Sequence, residues 1–527
     1  MKDVIDVLVI GSGAAGGALT WRLTEQGVKV VCLEQGGWIE PTSFPSAKPD
    51  YETQLIRGDF HLNPNVRQRP EDYPVIIAGD YPIDTLMFNA VGGSTIHWQG
   101  LFPRFHPSDF RVKTLDGVAD DWPISYKDLE PYYDLNDSMI GVSGLNGDPA
   151  NPSRSPRQTP PLPIGKMGKT LAGGFEKLGW HWWVADQGII SKSYKTRPGC
   201  MLHGKCMFGC PISAKASTDR TYWPLSIEKG AVIKPWCRVK EITVDKMGKA
   251  SGALYFDKDS KLQEIKAKVV VVCCNGIGTP RLLLNSKSTL FPDGLANSNG
   301  LVGRNFMTHV NAYGRGIFEE ELDSHLGPMG SPLFSQQFYE TDSKRGFVRG
   351  FTMNAERTFG PFSQSLGLPW GKDHHRSFKE RFPHQLGISS VIEDLPEPDN
   401  RVELSDEKTD SNGIAAAKVT YSLGENSKKL QEFARQKVKE VLEAAGAKRT
   451  YNRPLPNFAH LMGTARMGTD PKKSVVNAKN QAHDVKNLFI VDGSSFTTSA
   501  GVNPTSTIMA LALRAADKIW EMRAKWS

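Results

Sequence analysis

Three cysteines that lie close together form a candidate metal-binding group. Cys200, Cys206 and Cys210 fall within an eleven-residue window, and Pro211 follows the last of them. Three thiolates at this spacing can ligate an iron–sulfur cluster, and a proline after the last cysteine is typical of ferredoxin-type runs. Since there are three thiols, a 3Fe-4S cluster is the expected stoichiometry. The alternatives are a structural zinc that also uses His203 and a disulfide with one spare thiol.

A glycine-rich turn near the start of the chain predicts a dinucleotide site. Its sequence is Gly11-Ser12-Gly13-Ala14-Ala15-Gly16, and Glu34 stands 18 residues after Gly16. Gly11 permits a tight turn, Gly13 lets the backbone approach a pyrophosphate, and Gly16 lets a helix pack closely on a strand. The carboxylate of Glu34 would accept from a ribose hydroxyl. A glycine turn without a ligand is the alternative.

The elements around this turn are those that a dinucleotide fold needs. Residues 4–10 are a β-branched run that predicts a strand, and a helical pattern of apolar residues follows the turn up to Leu23. Residues 28–33 predict a second strand, which ends at Glu34. Unpaired N–H groups at the start of the helix would bind the pyrophosphate.

Later segments of the chain predict further strands and helices of the same nucleotide-binding domain. Residues 269–274 read as a buried strand, followed by a turn at residues 275–280 and a helix. Residues 488–493 predict another strand, and residues 505–525 predict a long closing helix. Because these segments lie far from the first strand in sequence, the nucleotide-binding domain is expected to be discontinuous.

The region between about residues 311 and 455 has a different sequence pattern, in which apolar and polar residues alternate. Segments 346–353, 385–392 and 401–404 predict an antiparallel sheet, and residues 427–444 predict one amphipathic helix. The expected fold class is α/β, or α+β overall. We assign the nucleotide-binding domain to residues 1–110, 195–310 and 456–527, and the substrate-binding domain with its interface segments to residues 111–194 and 311–455.

The composition is that of a globular protein of two or three domains. The chain has 527 residues, 39% hydrophobic and 23% charged, with a formal net charge of +7 spread over its length. This charge implies no nucleic-acid partner. No stretch approaches the ~18 apolar residues of a membrane span. No signal peptide precedes the first strand, so we expect membrane attachment or export to depend on a partner.

Five segments, in this order, resemble the glucose–methanol–choline (GMC) oxidoreductase family of flavoenzymes, and the resemblance spans nearly the whole chain. The family binds FAD, so the resemblance implies FAD in preference to NAD, a choice that the glycine motif alone does not make. It also implies an FAD-binding Rossmann-like domain with an inserted substrate domain, built on an antiparallel sheet packed by helices. The segments are the first glycine turn with residues 34–37, residues 92–95, residues 275–280, residues 302–309, and a C-terminal set of His460-x-x-Gly463-Thr464, Asp492-Gly493-Ser494 and Asn503-Pro504.

The resemblance places catalysis in the C-terminal set. Oxidation of an alcohol by a flavin sends a hydride to the ring and the hydroxyl proton to a base, and a histidine, with a pKa of about 6.5, suits that task. The resemblance assigns the base to His460 and a hydroxyl-orienting partner to Asn503. Without the motif His460 would be a core residue. Asn503-Pro504 also has the sequence of a helix start, whose positive end would face the flavin.

The segment His97-Trp98 suggests a covalent flavin. Its spacing after Gly92-Gly93 resembles that in pyranose 2-oxidases, whose corresponding histidine carries the flavin, whereas other members bind FAD noncovalently. Packing against the flavin ring is the alternative. The resemblance implies FAD contacts at Gly11, Gly13, Ala14, Ala15, Gly16, Glu34, Gln35, Gly92, Gly93, Ser94, His97, Trp98, Val239, Asn275, Asp492, Gly493, Asn503, Pro504 and Thr505.

The cysteine spacing resembles that of the catalytic subunits of bacterial FAD-dependent glucose, gluconate and glucoside dehydrogenases, which carry a 3Fe-4S cluster. This implies a dehydrogenase that oxidises a secondary or anomeric hydroxyl of a sugar or glycoside and passes electrons through the cluster to an acceptor such as cytochrome c. The implied partners are a small subunit and a cytochrome c subunit. The implied location is the periplasm after partner-assisted export, with the cytoplasm as the alternative.

Two other functions are weighed against this one. An oxidase of the pyranose or C-glycoside 3-oxidase kind would use oxygen and form hydrogen peroxide, and the His97-Trp98 segment favours it. A non-catalytic flavin-binding subunit would serve assembly or electron relay, and the His460 and Asn503 pair argues against it.

Overall fold

The computed structural model describes residues 4–53, 72–452 and 457–526. The helices are α1 (Ala14–Glu25), α2 (Val112–Asp116), α3 (Tyr126–Ile140), α4 (Gly165–Leu178), α5 (Tyr222–Glu228), α6 (Asn275–Asn285), α7 (Pro361–Leu366), α8 (His374–Arg381), α9 (Glu425–Ala444) and α10 (Thr505–Glu521). The strands are β1 (Ile5–Ile10), β2 (Val30–Leu33), β3 (Val75–Ala78), β4 (Asp84–Thr85), β5 (Trp183–Val184), β6 (Val232–Lys234), β7 (Arg238–Val244), β8 (Ala250–Phe256), β9 (Leu262–Val272), β10 (Val310–Ile317), β11 (Leu333–Ser335), β12 (Phe351–Glu356), β13 (Gln385–Ile392), β14 (Arg401–Thr409), β15 (Ala415–Thr420), β16 (Arg449–Asn452), β17 (Asn457–Phe458) and β18 (Leu488–Ile490).

A parallel sheet forms the nucleotide-binding half of the molecule. Its parallel strands lie in the order β6, β2, β1, β9 and β18. Val7 of β1 lies opposite Val30 of β2 on one side and Val269 of β9 on the other. Parallel strands are covered on both faces, so they are apolar throughout rather than alternating. This is why β1 and β2 could be recognised as runs of Val, Leu and Ile.

Strand β9 changes character along its length. Residues 262–266 pair with antiparallel β8 and alternate between exposed and half-buried positions. Residues 267–272 pair with parallel β1, and Val269–Val272 is buried throughout. The buried strand predicted at residues 269–274 is therefore the second half of a longer strand. Cys273 and Cys274 follow it at the edge where the site lies.

The turn between β1 and α1 depends on its glycines. Gly11 has a φ of +97°, in the left-handed region, and a Cβ there would lie 2.4 Å from the carbonyl oxygen of Cys273. A Cβ on Gly16 would lie 1.9 Å from the carbonyl oxygen of Gly11. Any larger residue at Gly16 would push α1 away from β1. On the same side, Arg22 of α1 forms a 2.7 Å ion pair with Asp517 of α10.

An antiparallel sheet of six strands forms the second half. Its order is β16, β10, β13, β12, β11 and β5, and α9 packs on β10 and β13 with α4 alongside. Strand β13 is buried along its whole length because helices cover one face and the site lies on the other. The predicted segment 385–392 matches β13, and segment 346–353 corresponds to β12, which begins at Phe351.

The structure corrects two sequence expectations. Residues 401–404 were grouped with the large antiparallel sheet, but β14 pairs with β15 in a separate three-stranded sheet that includes β3. An alternating pattern identifies a strand without naming its partner, which explains this error. Helix α6 begins at Asn275 instead of after Pro280. Pro280 cannot donate to the carbonyl of Gly276, and the hydroxyl of Thr464 donates to that oxygen instead, at 2.8 Å.

The domain boundaries proposed from the sequence stay a prediction, and the one at residues 455 and 456 lies outside the described residues. In the part of the chain that the structure describes, no helix is long and apolar enough to cross a membrane.

Candidate active site

A cavity of about 590 Å³ lies between the two large sheets and the C-terminal segment. That volume is in the range of small-molecule and cofactor sites. Gly16 and Gly92 do not line it, because they lie behind the turns that do. The predicted site residues that line it are Gly11, Gly13, Ala14, Ala15, Glu34, Gln35, Gly93, Ser94, His97, Trp98, Val239, Asn275, His460, Asp492, Gly493, Asn503, Pro504 and Thr505.

The two glycine turns face each other at one end of the cavity. Gly13 is the N-cap of α1 and supplies no side-chain cap, so the first N–H groups of the helix point into the cavity. A Cβ on Gly93 would lie 2.9 Å from the Cα of Gly13. A larger residue at position 93 would therefore push the two backbones apart, whereas a Cβ on Gly13 would lie 3.9 Å from the Cα of Gly93, an ordinary contact. The arrangement fits a pyrophosphate held between them.

Glu34 and Asp492 are fixed at the carboxyl ends of β2 and β18. The Glu34 carboxylate accepts hydrogen bonds from the amides of Ser12 at 3.0 Å and Gly36 at 2.9 Å. Asp492 accepts from the amide of Asn275 at 3.1 Å and holds the start of α6. Burial raises the pKa of Asp492, while the hydrogen bonds that Asp492 accepts from Ser494, Thr279 and Asn275 oppose that shift. Both acids would hold FAD, Glu34 by accepting from its ribose.

Two histidines meet at the other end of the cavity. Nδ1 of His309 lies 2.7 Å from Nδ1 of His460, and Nε2 of His309 lies 2.8 Å from the carbonyl oxygen of Ala500. Burial lowers the pKa of His309 to about 4 and the pKa of His460 well below 6.5, so both rings are neutral. A carbonyl oxygen only accepts, so His309 carries its proton on Nε2. His460 must then donate from Nδ1, which leaves its lone pair on Nε2.

Asn503 completes this end of the cavity. Its Nδ2 lies 3.4 Å from Nε2 of His460. The sequence favours Asn503 as the N-cap of the last helix, but the structure gives that position to Pro504, and α10 has no side-chain cap. The Asn503 amide therefore turns toward His460. A hydroxyl between the two side chains would meet a proton acceptor and an amide donor.

One face of the six-stranded sheet lines the cavity with polar side chains. We call it the polar wall; it comprises Asn311, Tyr313, Arg315, Asn354, Glu356 and Ser389. Ser389 of β13 lies opposite Tyr313 of β10 and Asn354 of β12, so these three form one row across the sheet. The Ser389 hydroxyl donates to Glu356 at 2.6 Å, and burial raises the pKa of Glu356 to about 7. The wall offers both donors and acceptors to a ligand.

The His97-Trp98 segment touches residues 200–210, which we call the cysteine loop. Nδ1 of His97 lies 2.7 Å from the carbonyl oxygen of Met207, so Nδ1 carries the proton and the lone pair lies on Nε2. Burial lowers the pKa of His97 to about 3. Both His97 and Met207 line the cavity. The cysteine loop therefore borders the site that the flavin would occupy.

The three thiols of the cysteine loop are free, so the disulfide alternative is wrong. His203 is exposed, and among residues 4–53, 72–452 and 457–526 no three His, Cys, Asp or Glu side chains stand close enough to hold a metal ion. This argues against the zinc alternative. Each sulfur accepts a backbone N–H at 3.3 to 3.4 Å, and the donors for Cys200, Cys206 and Cys210 are the amides of Leu202, Met329 and Lys215.

Comparison with known proteins agrees with this geometry. Residues 165–311 and 396–512 match models described as GMC oxidoreductase, and residues 9–68 match an NAD(P)-binding Rossmann-like domain. The chain is 44% identical to 2-methyl-1,2-propanediol dehydrogenase of Mycolicibacterium austroafricanum, over 98% of this chain and 95% of that protein. The chain belongs to the GMC oxidoreductase family. The predicted family and fold class are confirmed.

Two further proteins are similar to this GMC oxidoreductase, one in sequence and one in fold. It is 32% identical to the fructose dehydrogenase large subunit of Gluconobacter japonicus, over 98% of this chain and 97% of that protein. A crystal structure of pyridoxine 4-oxidase from Mesorbium loti shares the fold, with a TM-score of 0.67 at 16% identity over 98% of this chain and 99% of that one. The protein is therefore a flavin-dependent oxidoreductase that acts on CH–OH donors, and its cofactor is FAD.

Sequence reasoning missed three features of the site. His309 ends one of the segments that resemble the family, but its contact with His460 depends on the fold. Lys215 carries no motif at all. The polar wall left a weak signal, because polar residues such as Tyr313, Arg315 and Glu356 alternate with small or apolar ones along β10 and β12. The exposed Trp370 and the half-buried His374 stack on each other and do not line the cavity.

Proposed function

We propose that this GMC oxidoreductase is a dehydrogenase of small polyols, either sugars or vicinal diols. Electrons would leave through a 3Fe-4S cluster held by Cys200, Cys206 and Cys210 to an external acceptor such as cytochrome c. This proposal rests on one observation, which is that the proposed base and the cysteine loop border the same cavity. One cavity has the His460 and Asn503 pair at one wall and Met207 of the cysteine loop at another.

His460 is the base in this proposal. Its unprotonated Nε2 takes the proton of the substrate hydroxyl, and the amide of Asn503 orients the hydroxyl oxygen. FAD held at the glycine turns would supply the acceptor for the hydride of the carbon that bears this hydroxyl. Two equivalents of a one-electron acceptor would take the two electrons, and a second proton would be released. The C–H and O–H bonds break and a carbonyl forms. The first N–H groups of α10 favour negative charge at this end of the cavity.

The polar wall supports a substrate with several hydroxyl groups. Hydroxyls both donate and accept, and the wall presents the Glu356 carboxyl, the Ser389 hydroxyl and the Asn354 amide on one face. Two relatives are named for 2-methyl-1,2-propanediol and for fructose, which share adjacent oxygen functions. We therefore widen the expected sugar or glycoside to polyols that include vicinal diols. 2-Methyl-1,2-propanediol has no secondary or anomeric hydroxyl and can lose a hydride only from its primary carbon. The proposed position of oxidation therefore widens from secondary or anomeric hydroxyls to include primary ones.

The chemistry of the cysteine loop supports an iron–sulfur cluster. Three thiols each accept a backbone N–H, and such bonds to sulfur stabilise thiolates and tune cluster potentials. The ligands of a cluster bind different iron atoms, so they stand farther apart than the ligands of one ion. The lack of a single-ion site among the described residues is therefore compatible with a cluster.

An external acceptor could approach the cysteine loop from solvent. Met201, which follows Cys200, has 63% of its surface exposed. One relative is named a large subunit, which supports an assembly with further subunits for this chain too. We propose a small subunit and a cytochrome c subunit as partners. Location in the periplasm after partner-assisted export belongs to the same proposal.

Assay of iron and acid-labile sulfide, an electron paramagnetic resonance (EPR) spectrum, and turnover with polyols test this function. We expect flavin absorbance, a 3Fe-4S signal and turnover with an artificial electron acceptor. Flavin without iron, together with hydrogen peroxide formation, would contradict the dehydrogenase and support the oxidase.

His460→Ala tests the catalytic assignment separately. Because the base is lost and the glycine turns are untouched, we expect FAD to stay bound while its reduction by substrate falls by about 10²-fold or more. Stopped-flow absorbance measures that rate. Unchanged reduction would remove His460 from its role.

A further inference from the structure

Three buried cations surround the cysteine loop. Lys215, Arg197 and Arg357 are all buried, and burial lowers the pKa of each, to about 8 for Lys215 and to about 10 for the two arginines, while the charges of the loop cysteines oppose that shift. Lys215 faces Cys206 and Cys210. Among the residues that the structure describes, none of the three cations forms an ion pair with Asp or Glu. We call them the cation set.

Lys215 is the most buried member and has the most defined contacts. Its ammonium donates to three carbonyl oxygens, of Ile96 at 2.6 Å, Trp98 at 2.9 Å and Cys206 at 2.8 Å. Two of these carbonyls belong to the flavin-facing segment and the third to the cysteine loop. Asp219, an acid whose charge acts on Lys215, is itself paired with Arg220. One fixed cation thus joins the two segments between which electrons would pass.

The two arginines approach the thiols from other sides. Arg357, from the segment after β12, donates to the carbonyls of Pro328 and Leu326, and its charge acts on Cys206 and Cys200. Arg197 donates to the carbonyl of Ile140, and its charge acts on Cys210. Every cysteine of the loop is therefore faced by at least one member of the cation set.

Buried cations without anions are unfavourable, because carbonyl dipoles replace only part of the lost hydration. Thiols in their neutral form do not compensate the charge. Three thiolates around an iron–sulfur core are anionic, and reduction adds one more negative charge. We infer that Lys215, Arg197 and Arg357 are the counter-charges of the 3Fe-4S cluster, that they raise its reduction potential, and that Lys215 also fixes the electron path from the flavin-facing segment. This inference rests on the proposed cluster.

The test is the midpoint potential of the cluster in intact protein, measured by EPR-monitored redox titration. We expect Lys215→Met to lower it by at least about 59 mV, which corresponds to a tenfold shift of a one-electron equilibrium. Lys205→Met is the matched control, since Lys205 lies in the same loop over the ring of Tyr51 and faces Glu52 instead of the thiols. It should leave the potential unchanged. Flavin reduction by substrate should persist in Lys205→Met.

Arg357 provides a second pair of variants, in case Lys215→Met does not retain the cluster. Arg357→Gln should lower the midpoint potential and Arg357→Lys should largely restore it, since Lys keeps the charge. A purely structural role would predict similar potentials for Gln and Lys. If Lys215→Met or Arg357→Gln retains the cluster and its midpoint potential is unchanged, the role of the cation set is refuted and the proposed cluster stands. A wild-type protein without iron overturns the cluster and the inference with it.

Discussion

At the scale of single residues, the chemistry depends on which nitrogen of His460 carries a proton. The backbone carbonyl of Ala500 fixes the proton of His309, and His309 in turn fixes the proton of His460. The lone pair that we propose removes the substrate proton is thus oriented by a carbonyl three residues before Asn503. The same short segment of chain therefore fixes the tautomer of His460 and supplies the amide that would orient the hydroxyl.

Replacement of His309 tests this relay. His309→Leu removes the acceptor for Nδ1 of His460, so the ring can adopt the unproductive tautomer, and we expect flavin reduction to slow by roughly 10²-fold. His309→Asn keeps an acceptor oxygen near the same position and should recover much of the rate. Stopped-flow reduction measures both. Equal rates in the two variants, with FAD content and KM unchanged, would show that the acceptor is irrelevant.

The acid limb of the pH profile follows from the same pair. Burial lowers the pKa of His460 well below 6.5, with His309 a smaller cause, so the base form persists as the pH falls. Protonation of His309, with a pKa of about 4, would remove the acceptor. We therefore expect the rate of flavin reduction to stay level from about pH 8 to about pH 5. An inflection near pH 6.5 would contradict the buried, neutral imidazole.

At the scale of elements, the packing of α1 on β1 decides whether a dinucleotide can bind. Gly16→Ala would place a Cβ 1.9 Å from the carbonyl oxygen of Gly11, so α1 must shift. The first N–H groups of α1 would then no longer point at the pyrophosphate site. We expect loss of bound FAD, measured as the ratio of visible to ultraviolet absorbance.

Gly173→Ala in α4 is the matched control for that loss. Nothing lies within 4 Å of its added Cβ, and Ala is the better helix former by about 1 kcal/mol. This variant should keep FAD and unfold at a slightly higher temperature. Retention of FAD in Gly16→Ala would contradict the close-packing argument.

The sequence predicted elements better than the contacts between them. The β1, α1 and β2 unit was predictable because its apolar runs and glycine spacing are local. The partner of β14 was not, since an alternating pattern is the same whichever strand lies beside it. The start of α6 was missed because the carbonyl that Pro280 leaves unpaired is satisfied by Thr464, 188 residues away.

The same limit applies to the site. His460 and Asn503 were found because their motif is short, whereas the role of His309 depends on carbonyls at residues 499 and 500. The polar wall becomes recognisable only when β10, β12 and β13 are brought to one cavity, and Lys215 only when its ammonium meets the carbonyls of Ile96, Trp98 and Cys206.

At the scale of the whole molecule, a buried guanidinium joins distant parts of the chain. Arg349 binds Asp109, lies 3.2 Å from Asp116 and lies 2.9 Å from Glu393. Tyr339, which donates to Asp109 at 2.7 Å, also accepts from the amide of Gly501. This network connects the segment before α2, the six-stranded sheet and the catalytic segment.

Arg349→Met tests how much this network stabilises the fold. It leaves buried carboxylates without a partner, so we expect the free energy of unfolding to fall by about 3–5 kcal/mol. Arg376→Met is the control, because Arg376 and its partner Asp373 are both more than half exposed, at 68% and 53%. It should change stability by less than about 1 kcal/mol. Chemical denaturation compares the two, and equal effects would refute the role of burial.

The strand order of the parallel sheet has a consequence for biosynthesis. β1 and β2 are made long before β18 and the start of α10, which complete the cavity. A nascent chain that ends before these two segments lacks that wall, so the complete cavity for the cofactor forms only after they have been made. If the holoenzyme is exported, it must therefore leave by a route that accepts folded cargo, with its prosthetic groups already inside.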